Sequence, residues 1–260
     1  MKHFLSIILF SLAVVPCLRA EVETKEVVYQ AGETALHGFL AVPENEEKAP
    51  GILVVHEWWG HNDYARKRAT MLAELGYTAL AVDMYGEGKN TSHPKDAGAF
   101  SQAVVNDPEA ATARFTAALE FLKQQPSVDS KKIGAIGYCF GGAVVLNMAR
   151  LGVDLEGVVS FHGALDSFVE GKSPIKTRIL VCHGADDGFI PTEKIEAFKE
   201  EMKASEADME FISYPRAKHS FTNPGADAKA KEFGIDLAYD KEADTKSWID
   251  MQKFFKATFE

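Results

Sequence analysis

Gly137-Tyr138-Cys139-Phe140-Gly141-Gly142 is the stretch on which the fold of this chain is decided. Lys131 to Ile136 before it is a short apolar strand, and Gly142 to Arg150 after it has the composition of a helix. A strand that turns straight into a helix forces its central residue into a strained conformation. Glycines two positions before and after keep neighbouring backbone clear of it. Gly137 and Gly141 occupy those places around Cys139. A thiol there sits at a helix N-terminus, where unpaired N–H groups favour a thiolate and can hold an oxyanion. A free cysteine is more often a small buried hydrophobe, so the remaining strand ends decide between the two readings.

Outward from this turn the chain alternates strands and helices. Gly51 to His56, Thr78 to Val82, Gly157 to Phe161, Thr177 to Cys182 and Met209 to Tyr214 are apolar runs of strand length. Between them lie helical patterns: one capped by Asn62 or Asp63 and ended by Gly76, one opened by Asp107-Pro108, and one from Pro191 to Lys203. Trp248, Met251, Phe254 and Phe255 repeat at helical spacing in a closing helix from about 241 to 259. Residues 23–29 and 35–42, around Gly32, form an antiparallel pair, and 84–106 is a loop-rich excursion with one short helical patch. The alternation predicts an α/β fold: a mostly parallel twisted sheet with helices on both faces, opened by an N-terminal antiparallel hairpin.

Functional groups in such sheets lie at the carboxyl ends of the strands. Those ends deliver His56-Glu57-Trp58-Trp59-Gly60, Asp83-Met84-Tyr85, Cys139, Phe161-His162, His183 to Asp187, and Lys218 to Phe221. A nucleophile, then a carboxylate, then a histidine is the chain order of the α/β-hydrolase fold. Cys139, Asp187 and His219 follow it, with Asp186 as the rival acid; Asp187 is preferred because Gly188-Phe189-Ile190-Pro191 leads directly into a helix. The thiolate would attack an acyl carbon, the imidazole move a proton, and the carboxylate fix the ring's tautomer.

The set HEWWG (56–60), AVDMYG (81–86), GYCFGG (137–142), DGFIP (187–191) and KHSF (218–221) resembles the dienelactone hydrolase family of α/β-hydrolases, over a match from about Val22 to the closing helix. The resemblance implies an ester or lactone hydrolase with a Cys139, His219 and Asp187 triad. It further implies that Glu57 lies near the thiol and controls its ionisation, and that the N–H groups of Trp58 and Phe140 form the oxyanion hole. Family members acting on a carboxylate-bearing lactone hold it with two arginines, where this chain has Glu87 and Asn223. Tyr85, Trp59, Phe189 and Phe221, beside Trp58 and Phe140, suggest an apolar pocket for a neutral substrate.

His56-Glu57 with His61 is a near miss to a helical zinc motif, which needs its second histidine at position 60, a glycine here. His162 and His183 are expected to pack around the site. There is no glycine-rich phosphate loop, and no metal or cofactor is expected.

Composition is that of a globular protein, 46% hydrophobic and 25% charged, with one domain expected over 21–260. Residues 1–20 have a basic start, an apolar run and a small-residue exit at Ala20, the layout of a signal peptide. That predicts a secreted or periplasmic protein with no stable membrane anchor after cleavage, the apolar run being too short to span a bilayer. Removing 1–20 takes away Lys2 and Arg19 and shifts the formal charge from −10 to −12, which disfavours nucleic-acid partners. Cys182, inside Ile179 to Cys182, is expected in the core, leaving Cys139 a free thiol. Two rival functions share the scaffold: a non-catalytic binding or thiol-sensing protein, and a small peptidase.

Overall fold

The computed structural model describes residues 22–44 and 47–260; the predicted signal peptide and its cleavage site at Ala20 lie outside them. Strands β1 (Val22–Ala31) and β2 (Thr34–Pro43) form the antiparallel hairpin, turning at Gly32 with φ 58°. The chain continues through β3 (Ala49–Val55), α1 (Asp63–Ala73), β4 (Thr78–Val82), α2 (Pro94–Val105), α3 (Pro108–Lys123) and β5 (Val128–Tyr138). It then runs through α4 (Phe140–Leu151), β6 (Gly157–Phe161), β7 (Arg178–Gly184), α5 (Thr192–Ala204), β8 (Met209–Tyr214), α6 (Ala226–Phe233) and α7 (Lys241–Phe259).

The strands make one eight-stranded sheet in the order β1-β2-β4-β3-β5-β6-β7-β8, parallel from β4 onward. The strand after β3 in sequence pairs on one side of it, and β5 pairs on the other. The crevice beyond the carboxyl ends of β3 and β5 is therefore the switch point at which such sheets bind ligands.

Alternation along the strands feeds two cores. Leu53 and Val55 face one that also holds Phe115 and Leu119 of α3, Val144 and Met148 of α4, and Phe198 of α5. Ile52 and Val54 face the other, with Ala69 and Leu72 of α1 and Met251, Phe254 and Phe255 of α7. Capping fixes where the helices begin. Asn62 accepts from the N–H groups of Tyr64 and Ala65, Asp107 from Ala110, and Asp240 from Glu242 and Ala243. Helix α4 is mostly apolar and buried from Phe140 to Arg150, with Asn147 and Arg150 as its buried polar side chains.

The structure corrects the expectation for 84–106. Twelve residues of that stretch form α2, opened by His93, whose Nδ1 accepts from Lys95 N–H, and by Pro94 in the first turn. The short helix α6 also lies where no element was expected.

Candidate active site

The turn at Cys139 is as tight as the glycine spacing requires. Cys139 has φ 52° and ψ −114°, and α4 starts at the next residue. A Cβ on Gly137 would collide with the Gly141 carbonyl, and one on Gly141 with the Val55 carbonyl. The close approach of β5, α4 and β3 thus demands both glycines. The Cys139 N–H lies 3.0 Å from the Phe161 carbonyl oxygen and 3.2 Å from His162 Nδ1.

His219, on the loop after β8, donates from Nδ1 to Asp187 Oδ2 at 2.8 Å, and the other Asp187 oxygen accepts from Phe189 N–H at 2.9 Å. Asp186 is exposed and makes no such contact, so the structure brings together Cys139, Asp187 and His219. Burial opposes protonation of His219. The Cys139 charge, its hydrogen bond to the ring and the Asp187 carboxylate outweigh burial and raise the imidazole to about 10. The charged imidazole is thereby held between Cys139 and Asp187.

Glu57, at the end of β3, is buried, which raises its carboxyl; Asn223, Ser220, the His219 charge and Arg68 pull in the opposite direction. Ser220 Oγ donates to its Oε1 at 3.1 Å and Asn223 Nδ2 to its Oε2 at 2.5 Å. Asn223, in one of the two places where an arginine was looked for, is thus turned onto Glu57. Glu87, in the other, is exposed and pairs with Lys89 at 3.3 Å.

A cavity of about 390 Å³ opens over Cys139 and His219. Trp58, Phe140 and the half-exposed Phe189 line it, as expected. Tyr85, Trp59 and Phe221 are not among its lining residues. Tyr85 is buried and its hydroxyl donates to the Trp58 carbonyl at 3.0 Å; the Trp59 ring packs at a tilt against Trp58; Phe221 packs in the core on His162 and Tyr214. Tyr85, against Phe140, and Trp59, against Trp58, support the wall from behind. Sequence reasoning missed Ser101, Gln102 and Val105 of α2, and Ile235 and Leu237 on a strap that crosses the His219 loop. Leu237 pairs with His219 in an isolated bridge, and the Ala238 N–H donates to the His219 carbonyl. The charged side chains on the lining are His219 and Asp166, and Asp166 is neutralised by Lys194 at 2.6 Å.

His56 is buried among backbone partners, with Nδ1 2.6 Å from the Glu57 carbonyl oxygen and Nε2 accepting from Met84 N–H. Cys182 is fully buried in β7, which pushes its thiol up.

Comparison with known proteins follows the same lines. The model of the dienelactone hydrolase family matches residues 36–259. The carboxymethylenebutenolidase of Pseudomonas putida is 28% identical over 194 residues, spanning 71% of this chain and 81% of its own. The solved structure of m3DLH is 38% identical with a TM-score of 0.87, over 92% of this chain and 99% of that one. The dienelactone hydrolase-like promiscuous phosphotriesterase P91, from metagenomic libraries, is 36% identical with a TM-score of 0.83, over the same shares.

Proposed function

The chain belongs to the dienelactone hydrolase family of α/β-hydrolases, and from that premise we propose that it hydrolyses a neutral ester or lactone through a thioester on Cys139. The observation that carries this reading is the convergence of Cys139 and Asp187-bound His219 at the floor of one apolar cavity. The thiolate adds to the acyl carbon, and the negative charge passing to the carbonyl oxygen meets the N–H groups of Trp58 and Phe140. Phe140 is the first residue of α4, so its N–H is among those a helix leaves without an internal acceptor. His219, as an imidazolium, returns a proton to the leaving alkoxide. It then takes one from the water that cleaves the thioester, while Asp187 holds Nδ1.

Glu57 is the control on the thiol. With its oxygens engaged by Ser220 and Asn223, it leaves Cys139 to pair with His219. Freed from that hold it would compete for the thiol proton. The lining offers no guanidinium or ammonium to a substrate carboxylate, which supports the choice of a neutral substrate. The N-terminal sequence supports action outside the cytoplasm, after removal of residues 1–20.

A panel of esters and lactones with and without a carboxylate, together with a neutral phosphotriester in view of P91, tests the substrate class. Neutral acyl substrates should have the higher kcat/KM, and loss of turnover in both Cys139→Ala and His219→Ala should separate catalysis from mere binding. A strong preference for the carboxylated lactone would refute the substrate reading, and cleavage of short peptides in preference to esters would favour a peptidase.

A further inference from the structure

The geometry points to His162 as a positioning residue, a strut that joins the Cys139 turn to the loop bearing His219 and so sets the distance between sulfur and imidazole. The inference rests on the catalytic reading above for its consequence, but its evidence is separate. His162 follows β6, is fully buried and has φ 41°. On one side its Nδ1 accepts from the Cys139 N–H at 3.2 Å. That direction leaves the ring's single proton on Nε2, which donates to Thr222 Oγ1 at 2.7 Å. Thr222 is three residues beyond His219 on the same loop.

The far end of the strut is anchored. Thr222 Oγ1 shares a 2.7 Å hydrogen bond with the Tyr64 hydroxyl, and its carbonyl accepts from Arg68 Nη2 at 2.6 Å, both on α1. Arg68 also donates to Asp244 of α7 at 2.6 Å, so two helices hold Thr222 in place. The His162 ring meets that of His219 edge to face at 5.2 Å between centroids. Burial and the nearby charges of His219 and Arg68 push the His162 imidazole well below its ordinary range. The neutral ring that the two hydrogen bonds require is therefore also the form its surroundings favour. Displacement of reacting groups by about 1 Å can cost on the order of 10²-fold in rate, which is the scale on which a strut of this kind acts.

The test compares Thr222→Val, which removes the acceptor at nearly constant volume, with Thr222→Ser, which restores it, and adds His162→Phe. The readouts are kcat and KM on p-nitrophenyl acetate and the pH profile of iodoacetamide alkylation at Cys139. Thr222→Val and His162→Phe should lower kcat by roughly 10- to 100-fold with KM little changed and shift the alkylation profile toward that of an unpaired thiol, while Thr222→Ser recovers both. A lower melting temperature with an unchanged kcat and alkylation profile in folded Thr222→Val would overturn the proposal. If His162→Phe does not fold, the Val and Ser pair still decides it. Because alkylation reads the sulfur and imidazole pair without turnover, failure of the catalytic reading shows up separately, as turnover retained by Cys139→Ala.

Discussion

Replacing Asp187 with asparagine separates the charge and tautomer roles of the site from its shape. Both Asp187 oxygens are in use, Oδ2 accepting from His219 Nδ1–H at 2.8 Å and Oδ1 from Phe189 N–H at 2.9 Å. Asparagine keeps the shape but offers one acceptor and one donor group. If its oxygen stays on Phe189 N–H, the amide NH2 donates to His219 Nδ1 and confines the proton of a neutral ring to Nε2, so the ring can no longer take the Cys139 proton. A misplaced tautomer of this kind costs about 10⁴-fold in the triad of a serine protease. If the amide flips instead, the NH2 opposes Phe189 N–H, and a buried unsatisfied donor costs ~1–3 kcal/mol of stability. Either arrangement also removes the carboxylate that helps raise His219 to about 10. The expected fall in kcat for p-nitrophenyl acetate is about 10²- to 10⁴-fold, with KM close to that of the parent. A folded Asp187→Asn protein within about tenfold of the parent kcat would refute this chain of reasoning.

Two further outcomes follow from the electrostatics. The His219 imidazole, ordinarily near 6.5, should titrate at about 10 by NMR, so the stabilisation from its charged form is complete below 6.5 and is lost as pH rises through about 10. Cys139→Ala removes the largest of the influences that raise it and should lower the midpoint; an unchanged midpoint would show that the pair does not exist. Glu57 lies above its ordinary 4.5 because it is buried, so the folded state binds more protons than the unfolded state, and stability falls as pH rises from 4.5 through the folded value. Glu57→Gln abolishes that titration, so urea melts between about pH 4 and pH 8 should show its stability gaining on the parent as pH rises, whereas a pH-independent difference would contradict the assignment.

The sheet and the Cys139 turn were legible in the sequence because each rests on a local rule. Alternating apolar strands need no knowledge of their neighbours, and Gly137 and Gly141 flank the residue whose backbone is strained. The acid was chosen over its neighbour Asp186 from the residues that follow it into the next helix, and it is the buried Asp187 that reaches His219. Aromatic residues could not be sorted into lining and support. Phe189 reaches the cavity, while Tyr85 and Trp59 stand behind it and Phe221 lies in the core, a distinction set by direction and not by composition. Helix α2 escaped notice because it buries little beyond Ala97 and Val104 and carries Gly98, a poor helix former. The strap at Ile235 and Leu237 escaped for another reason: its ties to the His219 loop are backbone hydrogen bonds and one surface ion pair, Lys218 with Asp236 at 2.6 Å, and neither kind of tie shows its partner in the sequence. Asn223 was noticed as a missing arginine, and only its contact with Glu57 shows what it does instead.

The most direct measurement is intact-mass and peptide spectrometry of the protein acid-quenched during turnover of p-nitrophenyl acetate. A single acetyl group on the peptide containing Cys139, formed at the rate of the burst and absent from Cys139→Ala, is the expected result. Full turnover by Cys139→Ala, or an acetyl group that accumulates on another residue at the catalytic rate, would contradict the account.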